Sequence, residues 1–325
     1  MKLYFFMGKG GVGKTSTAAA FSLITARKGL KTLIVSLDPA HNLGDVFDMK
    51  LSEEPKKIVE NLWASEVDFE ATITKHLKVL TEKIKDIYGY LRVLNLDRYV
   101  DTLRYSPGVE EFAVLEKINE IVSLGKRYDV IVFDTPPTGL TVRMMVLPFV
   151  NKIWLEKLIE LRKAILERRK AIARILGEKP RVKIANKEEE LAIEEKEDPI
   201  YRELIAMKEE NDRLLGILKN SENTTVVMII NPEILPVLEA KRAFDVLVKF
   251  GIPVKYIVIN KVLKLREVPS ELHTKVIEQE RALELAKNVF KDLKMIEVPL
   301  FTKEPRGLDM LYEYSKYVES MVWEM

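Results

Sequence analysis

The chain has 325 residues, more than one ordinary domain needs, so it encodes either two domains or one large core with insertions. Its 52 basic and 50 acidic residues leave a net charge of +2, which excludes a broad basic surface for nucleic acid, and the lack of cysteine excludes cysteine-ligated zinc, iron–sulfur clusters and disulfides. Charges interrupt every apolar run and the start does not resemble a signal peptide, so we expect a soluble, cytoplasmic protein.

Short apolar runs alternate with helical stretches along the chain. These runs are apolar at nearly every position, which is typical of strands buried on both faces of a parallel sheet. We therefore predict an α/β fold with a doubly wound, mostly parallel sheet. The predicted strands are residues 3–7, 32–37, 62–67, 130–133, 226–230, 256–259 and 295–298.

Two intervals between the predicted strands are too long for a single crossover helix. Apolar residues recur at helical spacing in the second of them, for example at Leu158, Leu161 and Ile165. We interpret both intervals as helical insertions that form a subdomain beside the α/β core. The predicted core is residues 1–68, 129–140 and 224–325, and the predicted insertions are residues 69–128 and 141–223.

The second insertion carries its charges in two blocks. Basic residues dominate positions 162–183 and acidic residues dominate positions 186–198. The simpler interpretation is two solvated faces that pair with each other or with a neighbouring subunit. The alternative is a dedicated contact with a membrane or a ribosome.

The first strand runs directly into a glycine-rich loop, and a helical stretch follows. The spacing is G-x-x-x-x-G-K-T, the phosphate-binding loop of nucleotide hydrolases, in the strand–loop–helix context that this loop requires. Backbone N–H groups of such a loop face a β-phosphate, and the helix N-terminus adds partial positive charge. We expect Lys14 to neutralise the β- and γ-phosphates and the Thr15 hydroxyl to bind Mg²⁺. The predicted nucleotide-binding residues here are Gly8, Lys9, Gly10, Gly11, Val12, Gly13, Lys14, Thr15 and Ser16.

Lys9 is a second lysine at the start of this loop. It cannot easily fold back onto the γ-phosphate that its own loop holds. We therefore expect Lys9 to reach a nucleotide bound by a second subunit, in the manner of an arginine finger.

Three polar residues follow predicted strands, at the edge of the sheet where ligands of doubly wound folds bind. Asp38 is the candidate that orients the attacking water, and Asp134 is the candidate that holds Mg²⁺ through its water shell. An aspartate beside a proline-containing turn can also be purely structural. Asn260 suits an adenine edge because a carboxamide both donates and accepts, but a strand-terminal asparagine is as often a turn or cap residue.

These motifs together resemble a known family. The loop with Lys9 is similar to the deviant Walker A loop of positioning ATPases of the ParA and MinD type, nitrogenase iron protein and the arsenite-pump and tail-anchored-protein targeting ATPases. Residues 38–43 resemble the switch I of the targeting ATPases, and residues 134–143 resemble the switch II of the arsenite-pump and targeting family. Further agreement lies at residues 107–108, Glu110, Glu111, 231–233, Glu239, Arg242, 260–261 and 304–307, so the resemblance spans nearly the whole chain.

The resemblance implies an ATPase that uses ATP and Mg²⁺, with Asp38 orienting water and Lys9 acting in trans. It implies adenine contacts at Asn260, Pro299 and Pro305. It further implies a homodimer without zinc, whose helical insertions receive the hydrophobic helix of a client membrane protein and which meets a membrane receptor.

The chain departs from the family pattern in switch II and near the adenine pocket. Pro136 replaces the usual alanine, Leu140 the usual histidine and Pro305 a more usual valine. Arsenite sensing through thiolates is excluded because the chain has no cysteine. The leading hypothesis is therefore a targeting factor. A transport-coupled ATPase is the alternative, and a positioning ATPase of the MinD or ParA type is disfavoured because the last residues, 308–325, are acidic.

Overall fold

The computed structural model describes residues 1–39, 42–87, 106, 108–123, 127–184, 187–265 and 268–322. The strands are β1 (Lys2–Gly8), β2 (Thr32–Ser36), β3 (Lys56–Val59), β4 (Leu62–Glu66), β5 (Val130–Asp134), β6 (Arg181–Ile184), β7 (Lys187–Glu190), β8 (Thr224–Ile230), β9 (Val254–Val262) and β10 (Lys294–Pro299). The helices are α1 (Lys14–Arg27), α2 (Asn42–Phe47), α3 (Phe69–Ile87), α4 (Val109–Ser123), α5 (Thr138–Leu176), α6 (Pro199–Lys219), α7 (Ile234–Lys249), α8 (His273–Val289) and α9 (Gly307–Val318).

Within the described residues, eight strands form one sheet in the order β10-β9-β8-β1-β5-β2-β4-β3. Neighbouring strands are parallel except β3, which pairs antiparallel with β4. Every predicted strand is present, which confirms the doubly wound, mostly parallel α/β fold. β3 was missed because only Ile58 of its four residues is fully buried, so the segment has no apolar run.

The central strands are buried on both faces, and aromatic side chains fill the space between sheet and helices. Phe21 of α1 lies with its ring centroid 4.6 Å from that of Tyr4 and 5.4 Å from that of Phe6. On the opposite face of β1, Phe5 stacks on Phe133 at 4.8 Å. Each buried aromatic ring stabilises the fold by roughly 1.5–3 kcal/mol. This packing fixes α1, and with it the loop that precedes α1, against the end of β1.

Both outer strands of the sheet carry residues that discourage further strand pairing. β3 exposes Lys56 and Lys57 to solvent. β10 exposes Lys294 and contains Glu297 and ends at Pro299, which has no backbone N–H. Lysine and proline at an edge strand prevent another strand from adding to it.

The chain divides into two compact units. The first comprises residues 1–69, 114–145 and 217–325 and contains the eight-stranded sheet. The second comprises residues 70–113 and 146–216. The functional division into a nucleotide-binding core and client-binding insertions stays a prediction.

The second unit contains a β-hairpin that the sequence analysis did not predict. β6 and β7 pair antiparallel, with Arg181 opposite Glu190 in the register and their side chains 3.2 Å apart. The interval had been interpreted as helical. Strands of four residues are too short for their two-residue periodicity to stand out from the charged sequence around them.

The basic and acidic blocks of the second unit pair with each other within one chain, which confirms the simpler interpretation of these charges. Ion pairs join Lys163 to Glu195 at 3.6 Å, Lys170 to Glu194 at 2.9 Å and Lys179 to Glu197 at 2.8 Å. Exposed pairs of this kind contribute only about 0–1 kcal/mol each.

One pair in this series is buried. Asp198 accepts hydrogen bonds from Nε and Nη2 of Arg162, at 2.9 and 2.6 Å, and from the Tyr201 backbone N–H at 2.7 Å. Asp198 is thus the N-cap of α6, with Pro199 at the first helical position. Burial raises the pKa of Asp198. The hydrogen bonds from Arg162 and Tyr201 together lower it by more than burial raises it, so the pKa lies below its ordinary value.

Helix α5 runs for 39 residues and contains Pro148. Proline removes one backbone hydrogen bond inside a helix. The Asn211 side chain of α6 donates to the Pro148 carbonyl oxygen at 2.9 Å, which joins the two helices at this position. No helix in the described part of the chain, α5 included, combines the length and apolar character needed to cross a bilayer.

Candidate nucleotide site

The phosphate loop lies between the buried end of β1 and the start of α1, where the sequence predicts it. Gly13 adopts a φ of +93°, and a side chain there would lie 2.3 Å from the Asn260 side-chain nitrogen. A side chain at Gly8 would lie 2.5 Å from the Ile229 carbonyl oxygen of β8. The loop therefore needs glycine at both ends. Gly13 is required by the positive φ of the turn, and Gly8 is required by the close contact with β8.

Lys14 and Asp38 lie together in the interior of the site. Lys14 is the first residue of α1, and Asp38 follows the end of β2 by two residues. The Lys14 Nζ lies 3.5 Å from Asp38 Oδ2, and both residues are buried. The structure thus places the candidate phosphate-binding lysine beside the candidate water-orienting aspartate. Of the switch I motif, Ala40 and His41 lie outside the described residues, as does Pro107.

Asp134 ends β5, in register with Phe6 of β1 and Ser36 of β2. Its side chain is completely buried, and among the described residues neither carboxylate oxygen has a hydrogen-bond partner. Burial raises the pKa of Asp134 to about 7, against the lowering effects of the Lys14 charge and of the nearby Thr15 hydroxyl. A buried carboxylate whose oxygens accept no well-formed hydrogen bond fits a cation or the water shell of a cation. Asp134 and Thr15 are therefore suitable for holding Mg²⁺.

A cleft of about 740 Å³ opens beside the phosphate loop. This volume is in the range of small-molecule sites. The structure brings most of the predicted site residues together around it, whereas Gly8, Val12 and Asp134 are buried and do not line it. The predicted residues that line the cleft are Gly10, Gly11, Gly13, Lys14, Thr15, Ser16, Asp38, Asn260, Pro299 and Pro305.

Asn260 does not follow the end of a strand, so that prediction was wrong. β9 continues through it to Val262, with Lys261 at a φ of +62° and a register shift against β10. The apolar run predicts only the four residues 256–259 as strand, because the polar pair Asn260 and Lys261 interrupts the apolar pattern. Asn260 is buried, and its Nδ2 donates to the Val12 carbonyl oxygen at 2.8 Å.

Lys9 does not line this cleft. Its side chain is 64% exposed, and its Nζ lies 3.2 Å from Oε1 of Glu239 on α7. The geometry agrees with a lysine that does not serve the nucleotide of its own loop. Its role in a second subunit stays a proposal.

Several cleft residues were missed by the sequence analysis. Tyr314 of α9 shares a 2.8 Å hydrogen bond with Thr17 of α1 and stacks on Phe301 with ring centroids 5.5 Å apart. Burial raises the pKa of Tyr314 well above its ordinary value. The apolar periodicity of α9 is the signal that could have placed Tyr314 inward. No local pattern in the sequence would have placed Arg306 at the cleft. Its Nε donates to the Asp45 carbonyl oxygen at 3.2 Å.

The residues after Asp134 are held by a chain of hydroxyl groups. The Thr135 hydroxyl donates to the Phe6 carbonyl oxygen at 2.9 Å, and the Thr141 hydroxyl contacts the Thr135 hydroxyl at 2.9 Å and the Pro136 carbonyl oxygen at 2.6 Å. The segment that contains the unusual Pro136 is therefore tied to both β1 and the first turn of α5.

Comparison with known proteins agrees with this site. The chain matches the family model of the anion-transporting ATPases over residues 1–320. It is 29% identical to putative arsenical pump-driving ATPase 2 of Aquifex aeolicus, over 98% of this chain and 99% of that protein. It is 30% identical to ATPase ASNA1 homolog 1 of Paramecium tetraurelia, over 97% and 91%, and 30% identical to ATPase GET3C of Arabidopsis thaliana, over 99% and 82%. The chain is an ATPase, and it belongs to the anion-transporting ATPase family.

Proposed function

We propose that the protein is an ATP-hydrolysing, homodimeric targeting factor that binds the hydrophobic transmembrane segments of tail-anchored membrane proteins for delivery to the membrane. The observation that carries this proposal is an exposed apolar face on α5. The switch motifs that resemble the targeting ATPases support it, as do relatives named ATPase ASNA1 homolog and ATPase GET3C.

The apolar face of α5 lies in the second unit and is defined by Val150, Ile153, Trp154, Leu158 and Leu161. Each of these side chains is between 41% and 64% exposed. Their spacing places them on one side of the helix within about three turns. Exposed apolar patches of this kind mark binding sites for proteins or membranes.

A different set of apolar residues on α5 performs the packing. Leu155, Ile159 and Leu166 are all buried. The exposed face therefore does not serve as the internal packing surface of the second unit. On α6, by contrast, Leu214 and Leu218 are buried and contribute nothing to an exposed apolar face.

The proposed hydrolysis uses the residues of the cleft. The loop N–H groups and Lys14 bind the β- and γ-phosphates, and Asp38 orients the water that attacks the γ-phosphorus while the bond to the bridging oxygen breaks. Mg²⁺, held through Thr15 and Asp134, would neutralise phosphate charge. Asn260, Pro299 and Pro305 are the proposed neighbours of the adenine.

Lys9 completes the site in trans in this proposal. To do so it leaves Glu239 and reaches the nucleotide of the second subunit. Lys9→Ala should lower turnover by up to ~10³-fold if it acts as a finger residue. Mixing this variant with Asp38→Asn should restore activity above either homodimer, because one mixed site has both groups. Demonstrated subunit exchange without any recovery would contradict the trans role.

The client site is tested with a synthetic peptide that contains a 20-residue leucine–alanine segment with lysines at its ends. Ile153→Ser combined with Trp154→Ser should weaken peptide binding and leave basal ATPase activity and helical circular dichroism unchanged. Ile277→Ser, which changes an exposed isoleucine of α8, is the matched control. Leu155→Ser should instead destabilise the second unit, since burying a hydroxyl and opening a cavity both cost stability.

Two results would oppose the proposed function. A folded double variant with unchanged peptide affinity would place the client elsewhere. Hydrolysis that is stimulated by an oxyanion and a membrane fraction, and not by the peptide, would favour the transport-coupled alternative, which the pump-driving relative suggests.

A further inference from the structure

Two neighbouring side chains of β9 donate hydrogen bonds to the phosphate loop from outside it. The Asn260 Nδ2 lies 2.8 Å from the Val12 carbonyl oxygen, and the Lys261 Nζ lies 2.7 Å from the Gly11 carbonyl oxygen. These are consecutive residues of the strand and consecutive carbonyl groups of the loop. The contacts therefore fix two successive peptide units of the loop.

The direction of these peptide units decides what the loop offers to a ligand. In a trans peptide the carbonyl oxygen of one residue and the N–H of the next point in opposite directions. Because the Gly11 carbonyl oxygen accepts from the Lys261 ammonium group, the Val12 N–H points away from that ammonium group. Because the Val12 carbonyl oxygen accepts from the Asn260 carboxamide, the Gly13 N–H points away from that carboxamide. Outward carbonyls and inward N–H groups are what an anion-binding loop requires.

The backbone at Lys261 is itself unusual. Its φ of +62° is a conformation that residues other than glycine and asparagine rarely adopt, and it coincides with a register shift between β9 and β10. Strained backbone of this kind persists where the surrounding structure holds it, and it is concentrated at functional sites.

We propose that Lys261 is a positioning residue for the phosphate loop. Its ammonium group holds the Gly11 carbonyl, and together with Asn260 it forms a clamp that sets the affinity of the loop for the phosphate chain, independently of the base. The inference rests on the proposed ATP site and adds a residue to it. Both residues also line the cleft, so the clamp connects the loop to the region proposed for the adenine.

Three variants distinguish this positioning role from a mere change in surface charge and from a change in folding stability. Lys261→Asn suits the left-handed backbone but is too short to reach Gly11. Lys261→Arg keeps a charged donor of similar reach. Lys264→Asn is the matched control, because Lys264 is an exposed lysine that pairs with Glu297 at 3.3 Å and does not line the cleft.

The ligand probe is inorganic tripolyphosphate with Mg²⁺, measured by displacement of a fluorescent ATP analogue, with adenosine as the second probe. Lys261→Asn should weaken tripolyphosphate binding by roughly 3- to 10-fold, the range for loss of one ordinary hydrogen bond, because solvent screens the charge of this exposed lysine. Lys261→Arg and Lys264→Asn should stay within about twofold. Adenosine binding should not change, and the melting temperature of Lys261→Asn without ligand should equal or exceed that of the wild type.

The outcomes distinguish the inference from the function on which it rests. Equal tripolyphosphate affinity in Lys261→Asn and Lys264→Asn would overturn the inference and leave the ATP site intact. Weakened adenosine binding with unchanged tripolyphosphate binding would make Lys261 a base contact only. A lowered melting temperature with an unchanged loop affinity would make it a purely structural residue. A wild-type chain that binds neither ATP nor tripolyphosphate would refute the proposed function and this inference with it.

Discussion

Replacing Asp134 by asparagine should stabilise the metal-free protein at neutral and alkaline pH. The wild-type carboxyl is buried, neither of its oxygens accepts a well-formed hydrogen bond among the described residues, and burial raises its pKa from 3.8 to about 7. Between these two pH values the folded protein retains a proton that the unfolded chain has released. The free energy of unfolding therefore falls as the pH rises from about 4 to about 7 and is level above that. Asparagine is neutral over the whole pH range, so the variant does not lose this free energy of unfolding.

The size of the effect follows from the shift in pKa. A rise of roughly three pKa units corresponds to about 4 kcal/mol at pH 8, where the wild type has lost the full amount. At pH 5 the loss is only about 2 kcal/mol, because the folded carboxyl is still protonated and the unfolded one has released most of its proton. The advantage of Asp134→Asn over the wild type should thus roughly halve between pH 8 and pH 5.

Urea unfolding at both pH values in the presence of a chelator measures this difference. The same experiment with Mg²⁺ and ADP should reverse the order at pH 8, since bound ligand stabilises only the protein that can hold the metal. If Asp134→Asn exceeds the wild type in free energy of unfolding by the same amount at pH 5 and pH 8, the reasoning is refuted. Such a result would show that the carboxyl does not titrate between these pH values. A wild-type protein that is more stable than the variant at pH 8 without metal would refute it as well.

Three further predictions concern the charged residues. Asp38→Asn should retain ATP binding and nearly abolish phosphate release, and wild-type turnover in this variant would remove Asp38 from the mechanism. Asp198→Asn should destabilise the second unit at pH 8, with a deficit that shrinks on acidification because the pKa of Asp198 lies below its ordinary value; urea unfolding at several pH values measures this. Glu239→Gln should raise ATPase activity by no more than about fivefold, the equivalent of one exposed ion pair, and have no effect once Lys9 is alanine.

The central strands could be predicted because burial on both faces leaves a continuous apolar run that is visible in the sequence alone. The phosphate loop could be predicted because its glycines and Lys14 satisfy a local geometric requirement. β3 and the β6–β7 hairpin could not, since edge strands of four charged or half-buried residues carry no such run. Their pairing depends on partners that are supplied by the tertiary structure.

Within the site, the sequence predicts which side chains have suitable chemistry, but it does not predict which residues they contact. Asn260 was a candidate for its carboxamide, yet its bond to Val12 joins residues 248 positions apart in the chain. The pairing of Lys9 with Glu239 spans 230 positions. The pKa of Asp134 depends on burial by strands from three regions of the chain. Spacing within one motif contains no information about such distant neighbours.

For the proposed binding of an apolar client, the lysines of β3 and the proline that ends β10 matter because they make the sheet a poor partner for another strand. Apolar segments that are exposed to water readily aggregate as β-strands. An unprotected edge of a sheet would nucleate such aggregates. These residues disfavour the addition of a client segment to either edge of the sheet as another strand. In the proposed function a client segment would bind through side-chain contacts instead, and such contacts suit a segment that is already helical and pairs its backbone groups internally.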